Sequence, residues 1–334
     1  MRGALHLALR YLVAHPFKTA LLVLSITLIL TIPAGLRVLV DQGERQLTAR
    51  AEATPLVIGA KGSPVELVLN SLYFADEVPE TLPSREAERV GATGLATAIP
   101  LHVRFRAQDA PIVGTTLDYF DFRGLRVVRG RKPGRLGDCV LGARVARERD
   151  LAPGDHVISS PESVFDLAGV YPLRMRVTGV LAPSGGPDDE AVFVDVRTAW
   201  VIEGLAHGHQ DLSKPEARSG VLTREGDTIV ANASVVQYNE ITDDNIDSFH
   251  FHGSSEGYPI SAIIAVPHDR KSGTILMGRY EAPDDPAQIV RPAAVMDELL
   301  DTVLTVQSFV IAGMLIVGTA ALATAVLVFL LSLK

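Results

Sequence analysis

Two pairs of histidines are the residues of this chain whose types and spacing could do chemistry. His207 and His209 form one His-x-His pair, and His250 and His252 form a second. Side chains two positions apart on a β-strand face the same side, so each pair could offer two imidazoles to one zinc or copper ion. The competing interpretation is a solvated loop with scattered histidines, because His-x-His lacks the fixed spacing of a defined zinc motif.

Other groups in the sequence are weaker candidates for a functional site. Residues 59–64 (GAKGSP) depart from the phosphate-loop pattern G-x-x-x-x-G-K-[ST] and are predicted to form a strand-to-helix turn. The consecutive acids at 188–190 point in different directions and do not make a calcium loop. Cys139 begins a predicted strand and is expected to be buried and inert. Because H-E-x-x-H is absent and no catalytic groups are paired, we predict a non-catalytic chain.

Two uncharged runs predict that the chain is held in a membrane. The first is an 18-residue run at 19–36, and the second is a 32-residue run at 302–333. A helix needs about 20 apolar residues to cross a bilayer. We therefore predict a first transmembrane helix at 19–40, and a stalk with a second transmembrane helix at 302–333. Residues 1–18 are expected to form an amphipathic helix on the cytoplasmic face, and their length disfavours a cleaved signal peptide.

Charge sets the predicted orientation of this membrane protein. Arg2, Arg10 and Lys18 precede the first run without any acid, whereas acids begin at Asp41. The positive-inside rule then places both termini in the cytoplasm of a bacterial inner membrane and exports residues 41–301 to the periplasm. This exported part has 26 Lys and Arg against 39 Asp and Glu, a net charge of −13 that argues against nucleic-acid binding. A single cysteine excludes an intrachain disulfide.

The exported part is predicted to have an α+β fold. Residues 139–159 have the pattern of strand, helix, Pro-Gly-Asp turn and strand. Two further strands, joined by a Gly/Pro/Asp-rich loop, lead into a helix that begins near Val196. Residues 261–266 and 273–277 are predicted to be strands, and the helix that enters the second run is expected to begin near residue 293.

The order of four segments resembles the MacB/FtsX-like family of ABC-transporter permeases, which includes the lipoprotein-releasing permeases. LALRYLVAHPFKTALLVLSITLIL (7–30) resembles the entry helix and first span of that family. CVLGARVARERDLAPGDHV (139–157) and RVTGVLAPSGGPDDEAVFVDVRTA (176–199) resemble elements of its periplasmic domain. VIGAKGSPVELVLNSLYF (57–74) is similar to the branch of YbbP-type permeases.

This resemblance implies an α+β periplasmic domain with a porter-like core and a smaller β-rich insertion, which we place at 207–265. It also implies a dimer of permeases with cytoplasmic ABC ATPase subunits. ATP would then be bound by those partners and not by this chain. The expected output is export or release of a lipoprotein or another amphiphile, with a periplasmic or lipoprotein partner, or transmission of a mechanical signal alone.

One departure from the family keeps a second function open. Family members usually have four spans, whereas this sequence has two apolar runs, so it is either a part of such a permease or depends on a partner to grip the ATPase. The alternative function is a membrane-anchored periplasmic sensor or metal-binding receptor. A peripheral enzyme is a third class, for which no catalytic residues are found.

Overall fold

A computed structural model describes residues 6, 10, 12–160, 172–209, 221–225, 228–231, 238–282 and 284–331. The chain divides into two compact units. The first unit joins Met1–Arg50 to Met296–Lys334, and the second is Ala51–Val295.

The described helices and strands follow in chain order. The helices are α1 (Pro16–Glu52), α2 (Pro64–Tyr73), α3 (Arg85–Ala92), α4 (Leu117–Phe122), α5 (Ala143–Glu148), α6 (Val196–Ile202), α7 (Arg270–Arg279) and α8 (Pro292–Leu331). The strands are β1 (Leu56–Ala60), β2 (Leu82–Pro83), β3 (Ala96–Ala107), β4 (Ala110–Thr115), β5 (Val127–Gly130), β6 (Asp138–Leu141), β7 (His156–Ile158), β8 (Arg174–Leu181), β9 (Val192–Asp195), β10 (Ala206–Gly208), β11 (Val221–Glu225), β12 (Thr228–Ala231), β13 (Phe249–Phe251), β14 (Pro259–Ile260), β15 (Ala262–Pro267) and β16 (Ala287–Val290). Short 3₁₀ turns lie at Pro187–Glu190, Ile246–Ser248 and Ser255–Gly257.

A mixed sheet of ten strands forms the centre of the second unit. Its order is β16-β1-β15-β3-β4-β9-β6-β8-β5, and β7 pairs with β8. The pairs β4–β9 and β6–β8 are parallel, and the other pairs in this sheet are antiparallel. Three two-stranded sheets accompany it, formed by β10–β13, β11–β12 and β14–β2. The predicted α+β class of this unit is confirmed.

Buried apolar side chains form two clusters in this unit. Ile112, Leu141 and Met175 belong to the first cluster, which collects side chains from β4, β6, β8 and β9. Ile58 and Ile263 belong to the second, which collects side chains from β1, β15 and β16. Because strands of the central sheet are buried along nearly their whole length, their sequences form continuous apolar runs such as VFV and AIIAV.

Local sequence signals explain the turn between β1 and α2. Ser63 caps α2 by accepting a hydrogen bond from the Glu66 backbone N–H, and Pro64 occupies the start of the helix as predicted. Gly59 lies in β1, where an added Cβ would stand 2.3 Å from Cδ1 of Leu67. This glycine is therefore required for close packing of the strand against α2, and the segment is a structural turn.

One predicted element in the C-terminal part of this unit differs from the structure, and the insertion at 207–265 stays a prediction. The strand predicted at 273–277 is wrong, because these residues lie in α7. Asp269 caps α7 by accepting from the Ser272 backbone N–H at 2.7 Å, which sets a helix where the apolar run alone favoured a strand. The range 207–265 ends inside β15, which pairs with β1 and β3 in the central sheet.

The first unit contains two long apolar helices, α1 and α8. The helix α1 has 37 residues and α8 has 40, and both are long and apolar enough to cross a membrane. Most of their large apolar side chains are exposed, including those of Phe17, Leu39 and Phe309. The two helices approach closely at Gly318, where an added Cβ would lie 2.7 Å from Cγ2 of Ile29. A small residue at this crossing is typical of helix pairs in membranes.

Candidate metal centre

The helix α6 directs the chain into the first histidine strand. Asp195 caps α6 by accepting from the Arg197 backbone N–H at 2.9 Å. The helix ends at Ile202 and is capped at Glu203, and the following Gly204 adopts φ +84°, a conformation that favours glycine. The Leu205 N–H then donates to the Trp200 carbonyl at 3.0 Å, and β10 begins at the next residue. His207 and its neighbours thus follow directly from a buried, capped helix.

The two histidine strands pair with each other in antiparallel register. In this register Ala206 faces Phe251, His207 faces His250, and Gly208 faces Phe249. Since side chains alternate along a strand, the two phenylalanines share one side with Ala206 and Gly208, and the histidines share the other. The small residues leave room for the aromatic rings, because a Cβ at Gly208 would lie 2.4 Å from the Phe249 ring.

The four imidazoles of this strand pair lie together. Centroid distances between neighbouring rings are 4.7–5.8 Å across the group His207, His209, His250 and His252. Possible ligand atoms of His207, His209 and His250 all lie within 4.8 Å of one another. Nε2 of His252 stands 3.2 Å from Nδ1 of His207. We call these four residues the histidine cluster.

The surroundings of His207 favour its neutral form. Burial lowers the pKa of His207 below its ordinary value, and the neighbouring His250, His252 and His209 lower it further by repulsion between positive charges. Neutral imidazole is also the form that offers a lone pair to a metal. His207 and His209 are partly buried, whereas His250 and His252 are exposed, so the cluster lies at the surface of its unit.

Aromatic contacts fix the second histidine strand to the core. The Tyr258 hydroxyl donates to the His252 carbonyl at 2.7 Å, and the His252 N–H donates to the Leu205 carbonyl at 3.2 Å. The Tyr258 ring packs edge-on against Trp200, with 5.1 Å between ring centroids. Phe251 packs against both apolar clusters of the core. The backbone of the histidine cluster is therefore held on both strands.

A different histidine lies inside the central sheet. His102 on β3 is fully buried, and its Nε2 is 3.1 Å from Oε2 of Glu203, which follows α6. The Glu203 side chain is 14% exposed and also lies 3.9 Å from Nε of Arg104. Sequence reasoning missed this pair, because the two residues are 101 positions apart and no local motif joins them. The pair reads as a buried structural contact between β3 and the end of α6.

The remaining candidate groups serve the fold. Asp188 is buried and accepts from the Tyr119 hydroxyl at 2.8 Å. Asp189 accepts from the backbone N–H groups of Ser184 and Gly185, and so closes the loop before β9. Cys139 is buried in β6, and burial raises the pKa of its thiol, so the expectation of an inert cysteine agrees with its surroundings.

One sequence pattern was missed in predicting a non-catalytic chain. Residues 253–257 (GSSEG) match G-x-S-x-G, the pattern of hydrolases whose serine lies on a sharp strand-to-helix turn. Here Ser255 begins a three-residue 3₁₀ turn, and Ser254 caps that turn by accepting from the Glu256 N–H. The Ser255 carbonyl accepts from the Ser84 hydroxyl. The segment is not followed by the α-helix of a nucleophile turn. The match is therefore limited to the sequence pattern and does not extend to the structure.

The structure thus joins what the sequence presented as two separate pairs. All four predicted residues lie on one face of the paired strands β10 and β13. They are His207, His209, His250 and His252. Among the residues that the structure describes, the group of side chains close enough to share one ion is His207, His209 and His250, and His252 contacts this group through His207. Asp211, a nearby acid in the sequence, lies outside the described residues.

Comparison with known proteins identifies the family. The profile of the MacB-like periplasmic core domain matches residues 19–243. The periplasmic region of MacB from Actinobacillus actinomycetemcomitans shares 13% identity over 74% of this chain and 92% of its own, with a TM-score of 0.40. The extracellular domain of the noncanonic ABC-type transporter YknZ from Gram-positive bacteria shares 12% identity over 70% and 98%, with a TM-score of 0.38.

A third similar structure is a domain of a putative permease protein from Porphyromonas gingivalis, with 10% identity over 71% of this chain and 86% of its own and a TM-score of 0.31. A search of curated protein sequences gave no significant match. The profile match extends over more than half of the sequence and includes the first apolar run and most of the sheet unit. The chain therefore belongs to the family of proteins with a MacB-like periplasmic core domain.

Proposed function

We propose that this chain is a permease subunit of an ABC transporter of the MacB/FtsX type. The observation that carries the proposal is a MacB-like core domain whose chain continues at both ends into a long apolar helix. At about 1.5 Å per residue, α1 and α8 are about 56 and 60 Å long, well beyond a lipid core of about 30 Å. Each helix is therefore long enough to span the membrane and continue past it.

Charges at the helix ends support export of the sheet unit. Arg10 and Lys18 flank the start of α1, whereas Asp41 and Glu44 lie near its other end. The positive-inside rule then puts the N-terminus in the cytoplasm and residues 41–301 in the periplasm. A reporter that is active only outside the cytoplasm should be active when fused after residue 150 and silent when fused after Lys334. The reverse pattern would contradict the proposal.

In this proposal, ATP hydrolysis belongs to a separate cytoplasmic ATPase subunit. The sequence contains no G-x-x-x-x-G-K-[ST] phosphate loop, so the chain has no such site of its own for a nucleotide. Closing of the ATPase subunits would move α1 and α8 as rigid rods, and the periplasmic domain would respond as a body. A dimer of permeases and a lipoprotein or other amphiphilic substrate are further parts of the proposal.

A kink in α8 tests the relay. Thr305 lies within α8, and its hydroxyl donates to the Asp301 carbonyl at 2.8 Å. Thr305→Pro removes a backbone hydrogen bond and kinks the helix, whereas Thr305→Ala keeps it straight. In the transporter reconstituted with its ATPase, the proline variant should hydrolyse ATP without periplasmic output, and the alanine variant should match the wild type. Full output from a normally expressed proline variant would disprove the relay.

The alternative of a membrane-anchored sensor or metal-binding receptor is less well supported. Membership of the MacB-like family favours a transporter component. The histidine cluster is compatible with either function, because a metal site on an exported domain needs no coupling to ATP.

A further inference from the structure

We propose that His207, His209, His250 and His252 bind one divalent transition-metal ion of the zinc and copper class. The four side chains come from two strands that are separated by about 40 residues of sequence and paired in register. Their rings face one another on the same side of the strand pair β10–β13, with centroids 4.7–5.8 Å apart. The proposal concerns this chain alone and does not depend on ATP coupling or on a transported substrate.

One distance between ring nitrogens is close to the edge of a tetrahedral site. Four nitrogens at about 2.0–2.1 Å from a zinc ion are separated from each other by about 3.3 Å. The distance between Nε2 of His252 and Nδ1 of His207 is 3.2 Å. The ligand atoms of His207, His209 and His250 are within 4.8 Å of one another, a gap that rotation of surface imidazoles closes. In the metal-free arrangement the contact between His252 and His207 is a hydrogen bond, and its length is close to one edge of the tetrahedron.

A backbone contact prepares His250 to act as a ligand. Nδ1 of His250 lies 3.1 Å from the Ser248 carbonyl oxygen. A carbonyl oxygen only accepts hydrogen bonds, so in this contact Nδ1 carries the proton and Nε2 keeps its lone pair. Histidine ligands of metals commonly donate their other ring N–H to a carbonyl or carboxylate in this way. The contact therefore fixes both the tautomer and the orientation of the ring.

The donor set and the exposure of the site define the class of metal and its exchange. Imidazole nitrogens favour Zn²⁺ and Cu²⁺, whereas Mg²⁺ and Ca²⁺ require oxygen ligands. Two of the histidines are exposed and two are partly buried, so solution ions reach the site. Structural zinc sites are closed and usually contain cysteine. We therefore infer an exchangeable site that loads and releases its ion.

Metal binding would also restrain the paired strands β10 and β13. The ion would link β10, which follows α6, to the strand that Tyr258 holds through the His252 carbonyl. Because a ligand that binds only the folded arrangement stabilises it, the metal should strengthen the pairing of β10 with β13. The site thus joins two parts of the second unit that are distant in sequence.

Zinc binding by the complete chain tests the proposal. The chain is purified in detergent with a tag that contains no histidine, stripped with a chelator, and dialysed against zinc chloride before metal analysis. We expect one zinc ion per chain, and its loss in the double variant His207→Ala/His250→Ala. The matched control His156→Ala/His268→Ala removes the same number of histidines outside the cluster and should keep the ion. Dialysis against an equal mixture of zinc chloride and a copper(II) salt shows which metal the chain binds in preference.

Three results would overturn the proposal. They are an unmodified chain that retains no zinc, a cluster variant that retains as much as the wild type, and a control that loses the ion equally. The variant His209→Gln/His252→Gln provides a second test if the first fails to fold. Cobalt(II) loaded into the unmodified chain gives a test without any substitution. Intense visible absorption of a tetrahedral ion supports the site, whereas the weak spectrum of an octahedral ion contradicts it.

Discussion

The buried His102 and the histidine cluster belong to the same unit, but they differ in burial and in the groups that they contact. His102 lies in the central sheet, is fully buried, and faces the carboxylate of Glu203 at 3.1 Å. The histidine cluster (His207, His209, His250 and His252) lies on a small two-stranded sheet at the surface, and its rings face one another. We infer from this difference that the buried histidine with a carboxylate partner serves the fold, whereas imidazoles gathered at a surface are available to a ligand.

The largest expected effect is the loss of stability when the buried histidine is removed. His102→Ala leaves a cavity in the sheet and an inward-facing Glu203 without its imidazole partner, which should cost about 3 kcal/mol of unfolding free energy. Urea unfolding of a fragment covering the second unit, residues 51–295, measures this change. His156→Ala is the control, since His156 pairs with Glu240 at 3.0 Å but is partly exposed. It should cost less than about 1 kcal/mol, and equal losses would remove the contrast.

The next effect is stabilisation by metal, which should depend on the cluster alone. Zinc at about 100 times its dissociation constant should raise the unfolding free energy of the wild type by about 2.7 kcal/mol. His207→Ala/His250→Ala should abolish this gain while costing only about 1 kcal/mol of metal-free stability, because His250 is exposed and His207 is only partly buried. Urea unfolding with and without zinc measures both quantities. An equal gain in the variant would place the metal elsewhere.

A smaller effect is expected when Gly208 is enlarged. The Cβ of Gly208→Ala would lie 2.4 Å from the Phe249 ring, so the ring must move and β13 must shift against β10. We expect zinc affinity to fall about tenfold, equivalent to about 1.4 kcal/mol, although all four histidines remain. Gly257→Ala is the control, because nothing lies within 4 Å of its added Cβ. Unchanged affinity in Gly208→Ala would show that strand register is irrelevant to the site.

The smallest effect is a dependence of metal-free stability on pH. The folded state lowers the pKa of His207, chiefly by burial and then by the neighbouring histidines. The unfolded chain therefore binds more protons as the pH falls through the ordinary histidine pKa, and stability declines in that direction. The wild type should lose slightly more stability than His207→Ala between about pH 7.5 and about pH 5.5. Urea unfolding across this range checks the sign, and a greater loss in the variant would contradict it.

Local patterns in the sequence predicted the histidines but not their assembly. The segments HGH and FHFH alternate with a period of two, which predicts a shared face on each strand. The pairing of the two strands depends on Phe249 and Phe251 filling the space beside Gly208 and Ala206, and on the hold of Tyr258. These contacts join residues that are distant in sequence, so spacing alone did not show that two pairs make one cluster.

The same limit explains the other differences. The α+β class followed from a succession of short apolar strands, turns and helices, and Pro64 marked the start of α2 correctly. The apolar segment 273–277 favoured a strand, but the cap at Asp269 and the burial of Leu276 on one face of α7 decide for a helix. The contact between His102 and Glu203 depends on where α6 ends against β3, which a single sequence does not specify.

X-ray absorption at the zinc edge tests the central claim most directly, namely that the histidine cluster is one metal centre. The complete chain in detergent is loaded with one equivalent of zinc and measured beside His156→Ala/His268→Ala. The account predicts about four nitrogen ligands at about 2.0 Å with the outer-shell scattering of imidazole rings, identical in both samples. A shell dominated by oxygen, or a sulfur ligand at about 2.3 Å from Cys139, would contradict it.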